Sequence, residues 1–149
     1  MGLKLLFICT GNTCRSPMAE GLARKMLGNS VQVGSAGMEA AVGESASTHA
    51  LEVMKEQNID LTGHRSRRLR PELMSDADWI IPMTLAQEMA LRRLFPQYIQ
   101  KTRCLGDWGD EQKNVLDPWG GSLEVYRQTA HEIGDLLSVV KGYLKDGPI

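Results

Sequence analysis

The stretch CTGNTCRSP, residues 9–17, places a thiol at Cys9 and an arginine six positions later at Arg15, directly behind the apolar run LKLLFI. A loop that leaves a strand and enters a helix turns several backbone N–H groups to its inner side. With the positive end of the helix dipole, those donors form an anion site. Gly11 permits unusual backbone angles, and Asn12 tolerates the left-handed conformation better than most residues. Arg15, at the helix entrance, has a planar fork that folds over two anion oxygens. Thr10, Gly11, Asn12, Thr13, Cys14, Arg15 and Ser16 are therefore the candidate phosphate-binding residues. Ser16 either caps the helix or donates a hydrogen bond to the Cys9 sulfur.

A thiol at the start of such a loop feels N–H groups, a dipole and an arginine together, and each of them favours the thiolate. The expected chemistry is attack of that thiolate on a bound phosphoryl group. Its equatorial oxygens are gripped by the loop, and a phosphocysteine intermediate is later hydrolysed by water. A leaving atom departs poorly as an anion, so a proton donor is needed as well. DPWGG, residues 117–121, supplies the candidate. Asp117 precedes a proline, which biases it to an extended conformation, and Trp119 is placed to form an apolar wall beside it. General-acid work needs Asp117 protonated when substrate is bound, a state that the neighbouring substrate dianion favours.

These groups need elements to hold them. Short β-prone segments fall at residues 3–8, 31–34, 79–83 and 103–105, and the stretches between them have helical spacing. The first helix is expected over residues 17–27, from Ser-Pro to a stop near Gly28, and the second over 48–57 with Asn58 at its end. The third runs over 84–95, from a threonine cap to Pro96. The last covers 122–144, with Leu123, Tyr126, Ala130, Ile133, Leu136, Leu137 and Val140 recurring at three and four. Strands alternating with helices indicate a single-domain α/β fold over residues 1–149, an open parallel sheet of about four strands with helices on both faces. Ligands in such sheets bind beyond the carboxyl ends of the strands, at the topological switch, where the opening motif lies.

Composition bounds the remainder. The chain has 149 residues, 42% apolar and 23% charged, with a formal net charge of −1, which argues against nucleic acid as a partner. The run HRSRRLRPE holds four arginines, read as a solvated face or as a basic rim for an anionic substrate. LLFIC is too short for a signal-peptide core or a membrane span, and three cysteines without framework spacing point to a reducing compartment, hence to the cytoplasm. Three scattered histidines offer no metal-ligand spacing, so neither metal nor cofactor is expected.

With both motifs in view, the chain resembles the low-molecular-weight protein tyrosine phosphatases, through CTGNTCRSP, SAG at 35–37, the strand DWIIPM and DPWGG before the last helix. The resemblance implies that Cys9 is the nucleophile, Arg15 the phosphate clamp, and Asp117 the general acid and later base. It implies that Asn12, Ser16 and Ser35 support the loop and its thiolate, that Cys14 is a reversible guard against over-oxidation or a packed small residue, and that no metal is used. His64 matches a histidine of that network or is an exposed loop histidine. Within the family, Thr13 and DPWGGS resemble the bacterial protein-arginine phosphatase branch, because tyrosine-directed members usually carry a bulkier apolar residue at the position of Thr13. Thr13 and Trp119 are therefore the substrate-selecting candidates, with phosphorylated proteins as partners and phosphotyrosine as the alternative substrate. A thiol-coupled arsenate reductase would need resolving cysteines, and none lies between Cys14 and Cys104. A non-catalytic phosphoprotein-binding module would need neither thiol nor acid.

Overall fold

Side chains alternate across a strand, so consecutive apolar residues at its centre belong to a strand covered on both faces. LKLLFIC forms such a strand, β1 (Leu3–Cys9), buried from Leu5 to Cys9. In the computed structural model, which describes residues 2–146, the chain continues through α1 (Arg15–Leu27), β2 (Val31–Gly37), α2 (Thr48–Glu56), α3 (Pro71–Asp76), β3 (Trp79–Pro82), α4 (Leu85–Leu94) and α5 (Leu123–Asp146). The sheet is parallel, in the order β2-β1-β3. β1 is thus the central strand, and its carboxyl end is where the connections part to either side.

The alternation along β1 sorts the core into two layers. Leu5, Phe7 and Cys9 pack with Met18 and Leu22 of α1, Val53 and Met54 of α2, and Ile133 and Leu137 of α5. Leu6 and Ile8 face the opposite way, towards Met74 of α3 and Leu91 of α4. Full burial of each such side chain contributes about 1.5–3 kcal/mol. Ile80 and Ile81 of β3 divide between the same two layers.

Three differences from the sequence expectation have physical reasons. Among the described residues the sheet has three strands rather than about four. The segment 103–105 does lie beside β3, with Arg103 N–H donating to Ile80 O at 2.9 Å and Leu105 N–H to Pro82 O at 2.8 Å. It is confined between a 3-10 turn at Pro96–Lys101 and the Gly106–Lys113 bridge, so only Thr102 pairs with Ile80 as an isolated bridge. Secondly, α1 begins at Arg15, two residues before Pro17, and its N-cap is Cys14 without a side-chain cap bond. Pro17 still falls in the first turn, where its missing N–H costs nothing. Thirdly, the arginine run ends in a short helix, α3, started by Pro71. The other caps follow their residues: Ser47 accepts from Ala50 N–H, and Thr84 forms a reciprocal capping box with Gln87. No helix among the described residues is long and apolar enough to cross a membrane.

Gly37 closes β2 against the loop after β1. A Cβ there would lie 2.6 Å from Thr10 O, 2.7 Å from the Ala40 Cβ and 3.0 Å from Asn12 N. Two of those neighbours are backbone of the loop itself and have little room to yield. Gly37→Ala is therefore expected to destabilise the fold by about 1–3 kcal/mol, read as a lower urea midpoint at unchanged slope. A midpoint equal to wild type would show that the loop is not clamped at this contact.

Candidate active site

The loop from β1 into α1 turns sharply at Asn12, whose φ of 58° is left-handed, whereas Gly11 does not take that conformation. Asn12 is fully buried and bonded at every polar atom. Its backbone N–H donates to Cys9 Sγ at 3.2 Å, and its Nδ2 donates to Ser16 Oγ at 2.8 Å and Ser35 Oγ at 2.9 Å. Its Oδ1 accepts from Arg67 N–H at 2.9 Å, and its carbonyl meets His64 Nε2 at 2.7 Å. Ser16 Oγ lies 2.9 Å from Cys9 Sγ. Because it accepts from Asn12, its own proton is free to go to the sulfur. Ser16 therefore serves the thiol and not the helix cap. Half-buried His64 belongs to this network rather than to an exposed loop.

The chain following the turn forms the candidate anion site. The backbone N–H groups of Thr13, Cys14 and Arg15 have no protein acceptor among the described residues. The first turn of α1 contains no acidic residue to compete for its positive end. Arg15 is buried, with one guanidinium nitrogen donating to Val115 O at 3.0 Å and another 3.7 Å from Asp117 Oδ2. That contact carries the acid loop to the phosphate loop. Asp117 Oδ1 accepts from Trp119 N–H at 3.0 Å, an Asx turn that fixes the carboxylate, while the side chain stays 52% exposed. Trp119 is 77% exposed and stands clear of the core, available as a wall only from the solvent side. Thr13 is half-buried, its carbonyl accepts from Ser47 N–H, and its hydroxyl has only a 3.9 Å contact to Cys14 Sγ. The hydroxyl is not spent on a loop carbonyl.

The geometry thus brings Cys9, Arg15 and Asp117, the candidate nucleophile, clamp and acid, to one strand end. Residues 4–145 match the family described as low molecular weight phosphotyrosine protein phosphatase. The chain belongs to this family. Among its relatives, a protein-arginine-phosphatase of Bacillus subtilis is 39% identical over 147 residues, covering 96% of this chain and 97% of the relative. A low molecular weight protein-tyrosine-phosphatase, PtpB, of Staphylococcus haemolyticus is 36% identical, covering 88% and 92%. A solved structure of the arginine phosphatase YwlE, a mutant with a phosphorylated active-site serine, superposes with a TM-score of 0.90 at 38% identity and covers 97% of each chain.

Several groups in this low-molecular-weight phosphatase escaped the sequence reading. Glu20, one turn beyond Ser16, accepts from Ser35 Oγ at 2.6 Å and pairs with Arg24 at 2.7 Å. Its i+4 spacing from Ser16 was the only hint. Arg67 was visible merely as part of a basic run, yet it also donates from Nε to Ser35 O at 2.8 Å. Tyr126 of α5 had no local signal. Its hydroxyl lies 3.4 Å from Cys14 Sγ, whose thiol donates to Ser47 Oγ at 3.5 Å. Burial, and then the Cys14 contact, push the Tyr126 phenol up to about 12, which keeps it a neutral hydroxyl. All three cysteines are free, and burial pushes the Cys104 thiol up to about 11, in keeping with a core residue. Among the described residues no cluster of three or more His, Cys, Asp or Glu has the arrangement to hold a metal ion.

Asn12→Gly separates the two duties of this residue, since glycine keeps the left-handed turn and removes the side-chain bonds. A loss of about 2–4 kcal/mol in unfolding free energy is expected from three broken buried hydrogen bonds and the groups they leave unpaired. Wild-type stability in this variant would mean that backbone conformation alone holds the loop.

Proposed function

We propose that this chain hydrolyses phosphoarginine on proteins through a phosphocysteine intermediate. The observation that carries the reading is the convergence at the end of β1 of a thiol with two donors on its sulfur, a buried arginine, and a carboxylate from the loop before α5. In the first step Cys9 Sγ attacks phosphorus, the S–P bond forms, and the P–N bond breaks as Asp117 gives its proton to the departing guanidino nitrogen. Arg15 and the N–H groups of the loop hold the equatorial oxygens, where charge builds in the transition state. In the second step the Asp117 carboxylate takes a proton from water while that water's oxygen attacks phosphorus, releasing phosphate and the Cys9 thiolate. Val115 O and Asp117 both meet Arg15, which keeps the guanidinium beside the carboxylate.

The choice of phosphoarginine rests on the arginine-phosphatase relative and on Thr13, whose unspent hydroxyl sits on the loop beside the nucleophile. A small polar residue there leaves width for a guanidino group instead of a slot for a flat ring. Exposed Trp119 then meets the substrate's stem from the open side. The staphylococcal relative and the family description favour phosphotyrosine as the second reading, with the same two steps and a P–O bond in place of P–N.

Cys9→Ser is expected to lose turnover by more than about a thousand-fold while still binding phosphate, because loop and arginine remain. Near-wild-type turnover in that variant would overturn the thiolate mechanism. Substrate choice is read by the ratio of turnover on a phosphoarginine protein to that on a phosphotyrosine peptide. The wild type should favour the former, and Thr13→Ile should move the ratio at least about ten-fold towards phosphotyrosine. A wide wild-type preference for phosphotyrosine would defeat the arginine assignment.

A further inference from the structure

Gln87, in the first turn of α4, faces the phosphate loop from the far side of the sheet's switch point. Its Oε1 accepts from Met83 N–H at 3.0 Å and from Thr84 N–H at 3.2 Å. Two backbone donors on one end of an amide leave no choice about which end is oxygen, so Nε2 must be the end that points away. Nε2 lies 3.2 Å from Thr10 Oγ1. The Thr10 hydroxyl is therefore the acceptor in that bond and has to spend its own proton elsewhere. Thr10 is exposed, directly follows the nucleophile, and has no second side-chain partner among the described residues. Its backbone is held as well, since Thr10 O accepts from Glu39 N–H at 2.9 Å.

We propose that Gln87 is a positioning residue that sets the polarity of Thr10, making its hydroxyl a donor to a phosphoryl oxygen at the mouth of the loop. The inference rests on the phosphatase reading of this site but not on the choice between arginine and tyrosine substrates. Gln87→Glu discriminates it from a cap. A glutamate keeps both bonds from Met83 and Thr84 N–H, yet can only accept from Thr10, so it turns the hydroxyl proton back into the protein. A merely structural Gln87 would tolerate that change.

The test is calorimetric titration of the full chain with inorganic phosphate, needing no turnover. Wild type and Thr10→Ser should bind alike, while Thr10→Val and Gln87→Glu should each weaken binding about ten-fold or more, the size expected for losing a bond to a charged group. The added carboxylate also repels phosphate, so the double variant decides. With valine at position 10, Gln87→Glu should cost clearly less than it does with threonine there. An equal cost in both backgrounds, or wild-type affinity in Gln87→Glu, would overturn the inference. Failure of the wild type to bind phosphate would instead count against the phosphatase reading itself.

Discussion

One buried amide holds this site together. Asn12 adopts a backbone conformation that costs most side chains roughly 1–2 kcal/mol, and asparagine is among the few residues that enter it readily. In doing so it turns its own N–H onto the Cys9 sulfur, while its side chain and carbonyl reach α1 at Ser16, β2 at Ser35, and the arginine run at His64 and Arg67. A buried polar group left unbonded is expensive, so each of these partners is also obliged to stay. The loop is consequently rigid because its pivot cannot move without stranding four segments at once. Gly37 adds the steric half of the same constraint, bringing β2 against the loop backbone more closely than any side chain allows.

The acid side is tied to this pivot by fewer and softer links. Arg15 donates to Val115 O and lies 3.7 Å from Asp117, and Tyr126 approaches Cys14, so the segment before α5 and α5 itself both reach the phosphate loop. Asp117 is oriented by its own Asx turn and lies beyond close ion-pair distance of Arg15. This division suits the chemistry. The nucleophile works only in a fixed donor array, whereas an acid that serves first as donor and then as base must admit substrate and water in turn.

Much of this was legible because it is local. CTGNTCRSP is contiguous, its strand and helix have plain periodicity, and the rule that ligands gather at a topological switch points to the carboxyl end of the central strand, where the motif lies. Asn12, Ser16 and Ser35 are singled out as candidate supports, and hydrogen bonds link the three of them to one another. The parts not legible come from elsewhere in the chain. Nothing around Tyr126 distinguishes it from the other residues on the buried face of α5, and Gln87 reads simply as the third residue of a capping box. The first turn of α1 misled because Ser-Pro is an ordinary cap signal, while the sulfur of Cys9 is a competitor visible only in three dimensions. The segment 103–105 has the composition of a strand but lacks length, being cut off by Gly106, whose backbone is pressed against Lys113.

Direction of hydrogen bonding, more than distance, connects these observations. Asn12 gives both amide protons to hydroxyls and receives a backbone proton at its oxygen, so Ser16 is left with a proton aimed at Cys9. Ser35 likewise passes its proton to Glu20, whose charge is shared with Arg24. Each hydroxyl that accepts from an amide becomes an obligatory donor to its next neighbour, and an amide anchored by backbone groups cannot reverse that sense. The protein therefore places protons where an anion will need them, with Arg15 as the buried arginine of the loop. Such an arrangement binds a phosphoryl group through many fixed dipoles and one cation, which stabilises spreading charge better than a single strong ion pair would.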